Sequence, residues 1–143
     1  MNEKVIIKRR AELELKIESL AYGGMGVAKK DDFVIFVKGA IPGQIVNARV
    51  YKKKKGYAEA QTLNIVSESP NAVEPKCNHF YICSKIQNLS YKEQLIEKGN
   101  QVEDAFQRLG GFKEFKLKKV IKGDPNLITE IKWNLHFRLI DGF

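Results

Sequence analysis

The chain of 143 residues carries 25 Lys and Arg against 17 Asp and Glu, a net charge of +8, with 43% apolar and 29% charged residues. That length suits one ordinary domain, or a small domain with a piece of another, and the composition excludes a disordered polymer. No apolar run approaches the ~18 residues of a membrane-crossing helix. The polar start Met1-Asn2-Glu3-Lys4 leads into no signal-peptide core, so a cytoplasmic location is expected.

The charge is uneven. Residues 1–66 hold 13 Lys or Arg against 7 Asp or Glu, a net +6, whereas residues 67–143 hold 12 against 10. A basic N-terminal half suits a polyanionic partner, although lysine-rich surfaces also serve solubility alone.

In chain order, residues 12–20 alternate charged and apolar side chains with period two, the pattern of a half-buried strand that places Leu13, Leu15, Ile17 and Leu20 along a curving sheet. The stretch 22–28 has three glycines in four positions, Gly23, Gly24 and Gly26, which permit positive φ and close backbone approach. Asp31-Asp32 marks a turn before the all-apolar strand Phe33-Val34-Ile35-Phe36-Val37, and 39–43 is a second turn cluster. Residues 44–51 read as a strand, 52–56 as a basic loop, and 57–66 as a fifth strand. Five short strands in about 55 residues point to a mainly β fold, a five-stranded antiparallel barrel of OB type over residues 1–66.

Pro70 and Pro75 bracket a polar linker at 67–75. Ser90-Tyr91-Lys92-Glu93 has the form of a capping box opening a helix. Leu95, Val102, Ala105, Phe106 and Leu109 share one face of it, and Gly110-Gly111 ends it. Segments 115–122 and 131–140 read as strands of a second, incomplete α+β domain beginning at 112.

The cluster carrying most chemistry is Lys52, Lys53, Lys54 and Lys55 between Tyr51 and Tyr57, with Arg49 on the strand leading into it. Lysines contact phosphates irrespective of sequence, and aromatic rings at a barrel edge stack on unpaired bases for roughly 1–3 kcal/mol each. Tyrosines at such positions also serve packing alone. Phe33 and Phe36, within an apolar run, are expected in the core. No residue of the cluster reads base sequence by itself. Cys77 and Cys83 are too few to form a closed zinc or iron–sulfur site, and His79 beside Phe80 and Tyr81 reads as packed or solvated.

Residues 12–111 resemble a TRAM domain followed by the cysteine segment of the S-adenosylmethionine-dependent RNA 5-methyluridine (uracil-C5) methyltransferases. The resemblance rests on residues 17–28 (IESLAYGGMGVA), 36–43 (FVKGAIPG) and 54–60 (KKGYAEA), then on 74–77 (EPKC) and 87–95 (QNLSYKEQL). It implies RNA, ribosomal or transfer, as the partner. Iron–sulfur members carry Cys-x5-Cys-x2-Cys here with a fourth cysteine beyond. This sequence has Cys77 and Cys83 but Ile86 in third place, so a [4Fe–4S] cluster is not expected. The Rossmann-like cofactor domain, the cysteine nucleophile and the acidic base of that family are not matched, so no cofactor is expected in this chain. Three readings follow: an RNA-docking module, a component of an active methyltransferase whose catalytic part lies outside the chain, or a folded remnant. Removal of residues 76–143 is expected to leave the barrel folded.

Overall fold

A computed structural model of the chain describes residues 7–31, 33–83 and 85–123. Six strands lie in the order β1 (Glu12–Lys16), β2 (Ser19–Ala21), β3 (Met25–Lys30), β4 (Phe33–Lys38), β5 (Ile45–Lys53) and β6 (Tyr57–Ser67). A short α1 (Phe80–Cys83) and the long helix α2 (Tyr91–Arg108) follow.

In space the sheet runs β1-β5-β6-β4-β3-β2. Its two edges, β1 and β2, are halves of one bent segment, and that bend curls the sheet into a barrel. Ile17, at the bend, donates its N–H to Gln44 O (2.9 Å) and accepts from Gly43 N (2.9 Å), which extends the β1–β5 pairing. One residue later Glu18 N donates to Val27 O (2.8 Å), and β2 pairs with β3. Counting the bent segment once gives the five strands that the periodicity predicts. One junction differs from the expected all-antiparallel pattern: β4 and β6 run parallel, with Phe36 opposite Glu59. The β5–β6 hairpin lies between them in sequence, and folding back it leaves β6 aligned with β4.

Alternation along each strand fills the interior. Leu15, Ile17, Ala28, Ile35, Val37, Val46, Ala48, Val50, Ala58 and Ala60 point inward and are all but fully buried, with Ile7 beside them. Four alanines among them keep a narrow barrel closely packed. Phe33 packs against this core as expected, but Phe36 does not. The period of two places Phe36 with Val34 on the outer surface, because Ile35 and Val37 already take the inner one.

A second cluster, Leu20, Ile41 and Leu89 with Ala72 and Ile86, joins the barrel to the following segment. Residues 71–73 pair with 88–90 through Val73 N to Asn88 O (2.8 Å) and Ser90 N to Asn71 O (2.9 Å). Gly24, at φ +77°, lies where a β-carbon would come within 3.0 Å of Lys85 Cβ, so this glycine lets the segment settle on the barrel.

Helix α2 occupies the expected range, with Ser90 at its N-cap, yet the Ser90 side chain makes no capping bond. Nor is its docking face the apolar stripe. Glu97 and Gln101 face the barrel, while Val102 and Leu109 are exposed. Glu97 Oε2 accepts the Leu20 N–H (2.9 Å), and Gln101 Nε2 donates to Leu20 O and Ala21 O (3.3 Å each). A strand edge presents N–H and C=O groups that need partners, so polar side chains suit this contact better than leucines. Residues 115–122 form no strand. They fold back along α2, with Phe115 stacked on Phe106 (4.2 Å between ring centres, 10°), Leu117 N donating to Glu103 Oε1 (2.9 Å), and Val120 close to Gly99. The expected strand at 131–140 lies outside the described residues.

Candidate nucleic-acid interface

The β5–β6 hairpin ends in a tight turn at 54–56, closed by Lys54 N donating to Tyr57 O (2.8 Å). The basic loop is therefore shorter than expected: Lys52 and Lys53 complete β5, and Lys54 and Lys55 lie in the turn. The lysines are not equivalent. Lys52 Nζ bonds Glu59 Oε1 at 2.7 Å, whereas Lys53, Lys54 and Lys55 are exposed with no carboxylate partner among the described residues. Arg49 is also engaged, its Nη2 and Nε lying 2.7 and 3.1 Å from Glu12 Oε1.

The two tyrosines are half-buried on the outer surface. Tyr51 donates its hydroxyl to Glu59 Oε2 (2.9 Å), and Lys38 Nζ sits 5.0 Å above its ring. Burial first, and then the bond to Glu59, raise the Tyr51 pKa above its ordinary value. Glu59, receiving the Lys52 ammonium and the Tyr51 hydroxyl, is held below the usual carboxylate range. Tyr57 meets Phe36 edge to face, ring centres 5.6 Å apart at 74°. Phe36, Tyr57 and Tyr51 thus line the outer side of β4, β6 and β5, next to the lysine turn.

Sequence reasoning missed part of this end of the barrel. Residues 8–10 extend the pairing along β5, with Arg10 N donating to Val50 O (2.8 Å) and Arg9 Nε to Tyr51 O (3.1 Å). Lys8, Arg9 and Arg10 are exposed there, and Arg10 holds a left-handed φ of 69°, an uncommon conformation for a side-chain-bearing residue. Three consecutive cations were visible at 8–10, but only the pairing brings them beside Tyr51.

The cysteine segment does not fit a cluster. Ile86 packs against Leu20, Ile41 and Leu89, and its aliphatic side chain supplies no ligand where the third cysteine would stand. Cys77 is tied to Gln87 Oε1 through both its N–H (3.3 Å) and its Sγ (3.6 Å). Among the described residues no three His, Cys, Asp or Glu side chains gather as a metal site.

Residues 8–63 match the TRAM domain. The chain is 40% identical over 113 residues to an uncharacterised RNA methyltransferase of Clostridium tetani, covering 78% of this chain and 25% of that protein. An uncharacterised RNA methyltransferase of Halalkalibacterium halodurans is 39% identical over 106 residues (73% and 23%). The 23S rRNA (uracil(1939)-C(5))-methyltransferase RlmD of Alkalilimnicola ehrlichii is 31% identical over 118 residues (81% and 26%). The chain spans about a quarter of the length of these relatives. It therefore carries a TRAM domain at residues 8–63 and, over that quarter, is homologous to proteins named RNA methyltransferases.

Proposed function

We propose that this chain docks RNA at the hairpin end of its barrel, where Lys8, Arg9, Arg10, Lys53, Lys54 and Lys55 take phosphates and Phe36, Tyr57 and Tyr51 offer ring edges and faces to unpaired bases. The observation that carries the reading is the gathering of six cations that have no carboxylate partner among the described residues, from two distant parts of the sequence, beside outward aromatic rings. Free ammonium and guanidinium groups release counterions on meeting phosphates, and flat rings tolerate any base, so the contact is strong in low salt and indifferent to sequence. Lys52 and Arg49 hold Glu59 and Glu12 and so shape the surface more than they supply charge to RNA.

The relatives supply the wider setting. In it the docked RNA, ribosomal or transfer, is a substrate for uracil-C5 methylation from S-adenosylmethionine. The chemistry belongs to a catalytic domain that the residues of this chain do not provide, whether on the same polypeptide or a separate one.

The test is the affinity for a single-stranded RNA in about 50 mM and about 200 mM salt. The logarithm of the binding constant is expected to fall linearly with the logarithm of salt, with a slope of up to about −4 if all six cations engage at ~0.7 each. Absence of binding in low salt, or binding with no salt dependence, overturns the reading.

A further inference from the structure

Residues 67–143 are nearly neutral as a whole, yet within them residues 113–122 hold five lysines against the single acid Glu114, and the rest of that half holds 7 cations against 9 acids. Lys113, Lys116, Lys118, Lys119 and Lys122 are all exposed, with no carboxylate partner among the described residues. From Phe115 onward the backbone is nevertheless pinned. It runs antiparallel along α2 as a strap: Gln107 Nε2 donates to Phe115 O (3.1 Å), Phe115 stacks on Phe106, and Leu117 N donates to Glu103 Oε1. Farther on, Val120 lies close over Gly99, and Gly123 N donates to the Tyr91 hydroxyl (2.9 Å). The helix from Tyr91 to Phe106 spans roughly 23 Å, and the eight residue steps from Phe115 to Gly123 cover it, so the strap is largely extended. Three of the four acids on α2 are engaged elsewhere: Glu97 with Leu20 N, Glu103 with Leu117 N, and Asp104 with Arg108 at 2.6 Å.

We infer that this strap is a second RNA contact, separate from the hairpin site, that holds the phosphate backbone and leaves the bases unread; it rests on the RNA-docking reading given above. Helix α2 docks on β2, at the barrel end opposite the lysine turn. There Ala21 lies across from Met25 and Gly26 across from Val37, whereas Tyr57 lies across from Val34 at the other end of β4. The make-up of the strap selects the ligand. Unmatched ammonium groups favour a polyanion, and a row of them on an extended path favours a linear one, whose phosphates release counterions contact by contact. The strap's one ring, Phe115, is half-buried on Phe106, so no outward ring waits for a base, in contrast to Phe36, Tyr51 and Tyr57 at the hairpin. Pinning separates this row from a merely solubilising one. A strap already held along α2 forfeits little backbone freedom on binding, whereas charges that serve solubility alone need no fixed path.

The test is fluorescence polarisation on the full chain with an all-uridine RNA of about 24 nucleotides, longer than one single-strand site. In about 50 mM salt the strap variant Lys116→Ala, Lys118→Ala, Lys119→Ala is expected to bind at least ~5-fold more weakly, with the magnitude of the salt slope reduced by about 2, at ~0.7 per lost contact. Lys116→Arg, Lys118→Arg, Lys119→Arg is expected to keep both affinity and slope. The same fold loss is expected with an abasic strand of equal length, and a loss that vanishes there overturns the backbone assignment. Phe115→Ala frees the strap with every charge retained, so affinity is expected to fall severalfold at an unchanged slope; unchanged affinity overturns the role given to pinning. Affinity and slope unaltered in the strap variant overturn the second contact, and a loss in Lys53→Ala, Lys54→Ala, Lys55→Ala then leaves the hairpin reading standing. No binding by the parent in low salt overturns both. A loss shared by the arginine variant assigns the effect to local structure and overturns a charge contact. Binding to phosphatidylglycerol vesicles that the strap variant loses, with its RNA affinity intact, assigns the strap to a membrane surface and overturns RNA.

Discussion

Glu97 shows how one side chain ties two elements together at a cost. It is a carboxylate 8% exposed, placed to accept the Leu20 N–H from the open edge of β2. Burial pushes its pKa above the ordinary 4.5, the Leu20 bond pulls it back, and nearby Glu93 adds to the rise. The folded protein therefore holds this proton more tightly than the unfolded chain does. That contribution to stability is complete below about pH 4.5 and is lost as pH rises through the raised value. Glu97→Gln keeps an oxygen for Leu20 and removes the ionisation, so its thermal midpoint is expected to stay level across that interval while the parent's falls. Melting curves at a series of pH values between 4 and 7 check this, and identical profiles would count against it.

Residues of the interface divide in the same physical way. Lys52, Lys53, Lys54 and Lys55 are indistinguishable in the sequence, and the structure separates them by their neighbours: Lys52 faces Glu59 across the hairpin, while the other three face solvent. Phe33 and Phe36, both in one apolar run, part for a geometric reason. A strand on a closed barrel has one inner face, and residues three apart cannot share it.

Among elements, the β5–β6 hairpin is the working part. It carries Tyr51 and Tyr57, the exposed Lys53, Lys54 and Lys55, and the register that sets Tyr51 beside Glu59. Replacing Lys53, Lys54 and Lys55 together with alanine is expected to weaken RNA binding uniformly across sequences. The same change should reduce the magnitude of the salt slope by about 2, at ~0.7 per lost contact, as titrations at several salt concentrations would read. Lys52→Ala should change the slope far less, because its charge is already matched. Helix α2 was legible in its range and not in its docking: periodicity marks an apolar stripe, but β2's unpaired peptide groups called for Glu97 and Gln101 instead. Gly99, which weakens the helix locally, leaves room for Val120.

For the whole molecule, the barrel core among the described residues is made by side chains between Ile7 and Ala60, and its sheet is complete by Ser67, ahead of the cysteine segment and α2. The second cluster is shared, since Leu20 and Ile41 are buried beneath Leu89 and Ile86. Ending the chain at residue 75 is expected to leave a folded barrel, destabilised on the order of 3 kcal/mol by uncovering Leu20 and Ile41. Urea unfolding followed by β-type circular dichroism reads both parts of that expectation; loss of the β signal in water would show that the barrel needs the later segment.

The strand count, the turn positions, the helix range, the basic excess of the first half and the TRAM resemblance were all fixed by local pattern, because period, glycine placement and charge are properties of neighbouring residues. Tertiary structure decided what depends on residues far apart. It bends residues 12–21 to close the sheet on itself, and it sets β4 parallel to β6. It brings Arg9 and Arg10 to Tyr51, turns Phe36 outward, and matches some charges while leaving others free. The parallel junction and the Arg9 contact join residues 23 and 42 apart, beyond any local window, while the outward turn of Phe36 and the match of Lys52 with Glu59, only seven residues on, depend on which face and which register each strand takes.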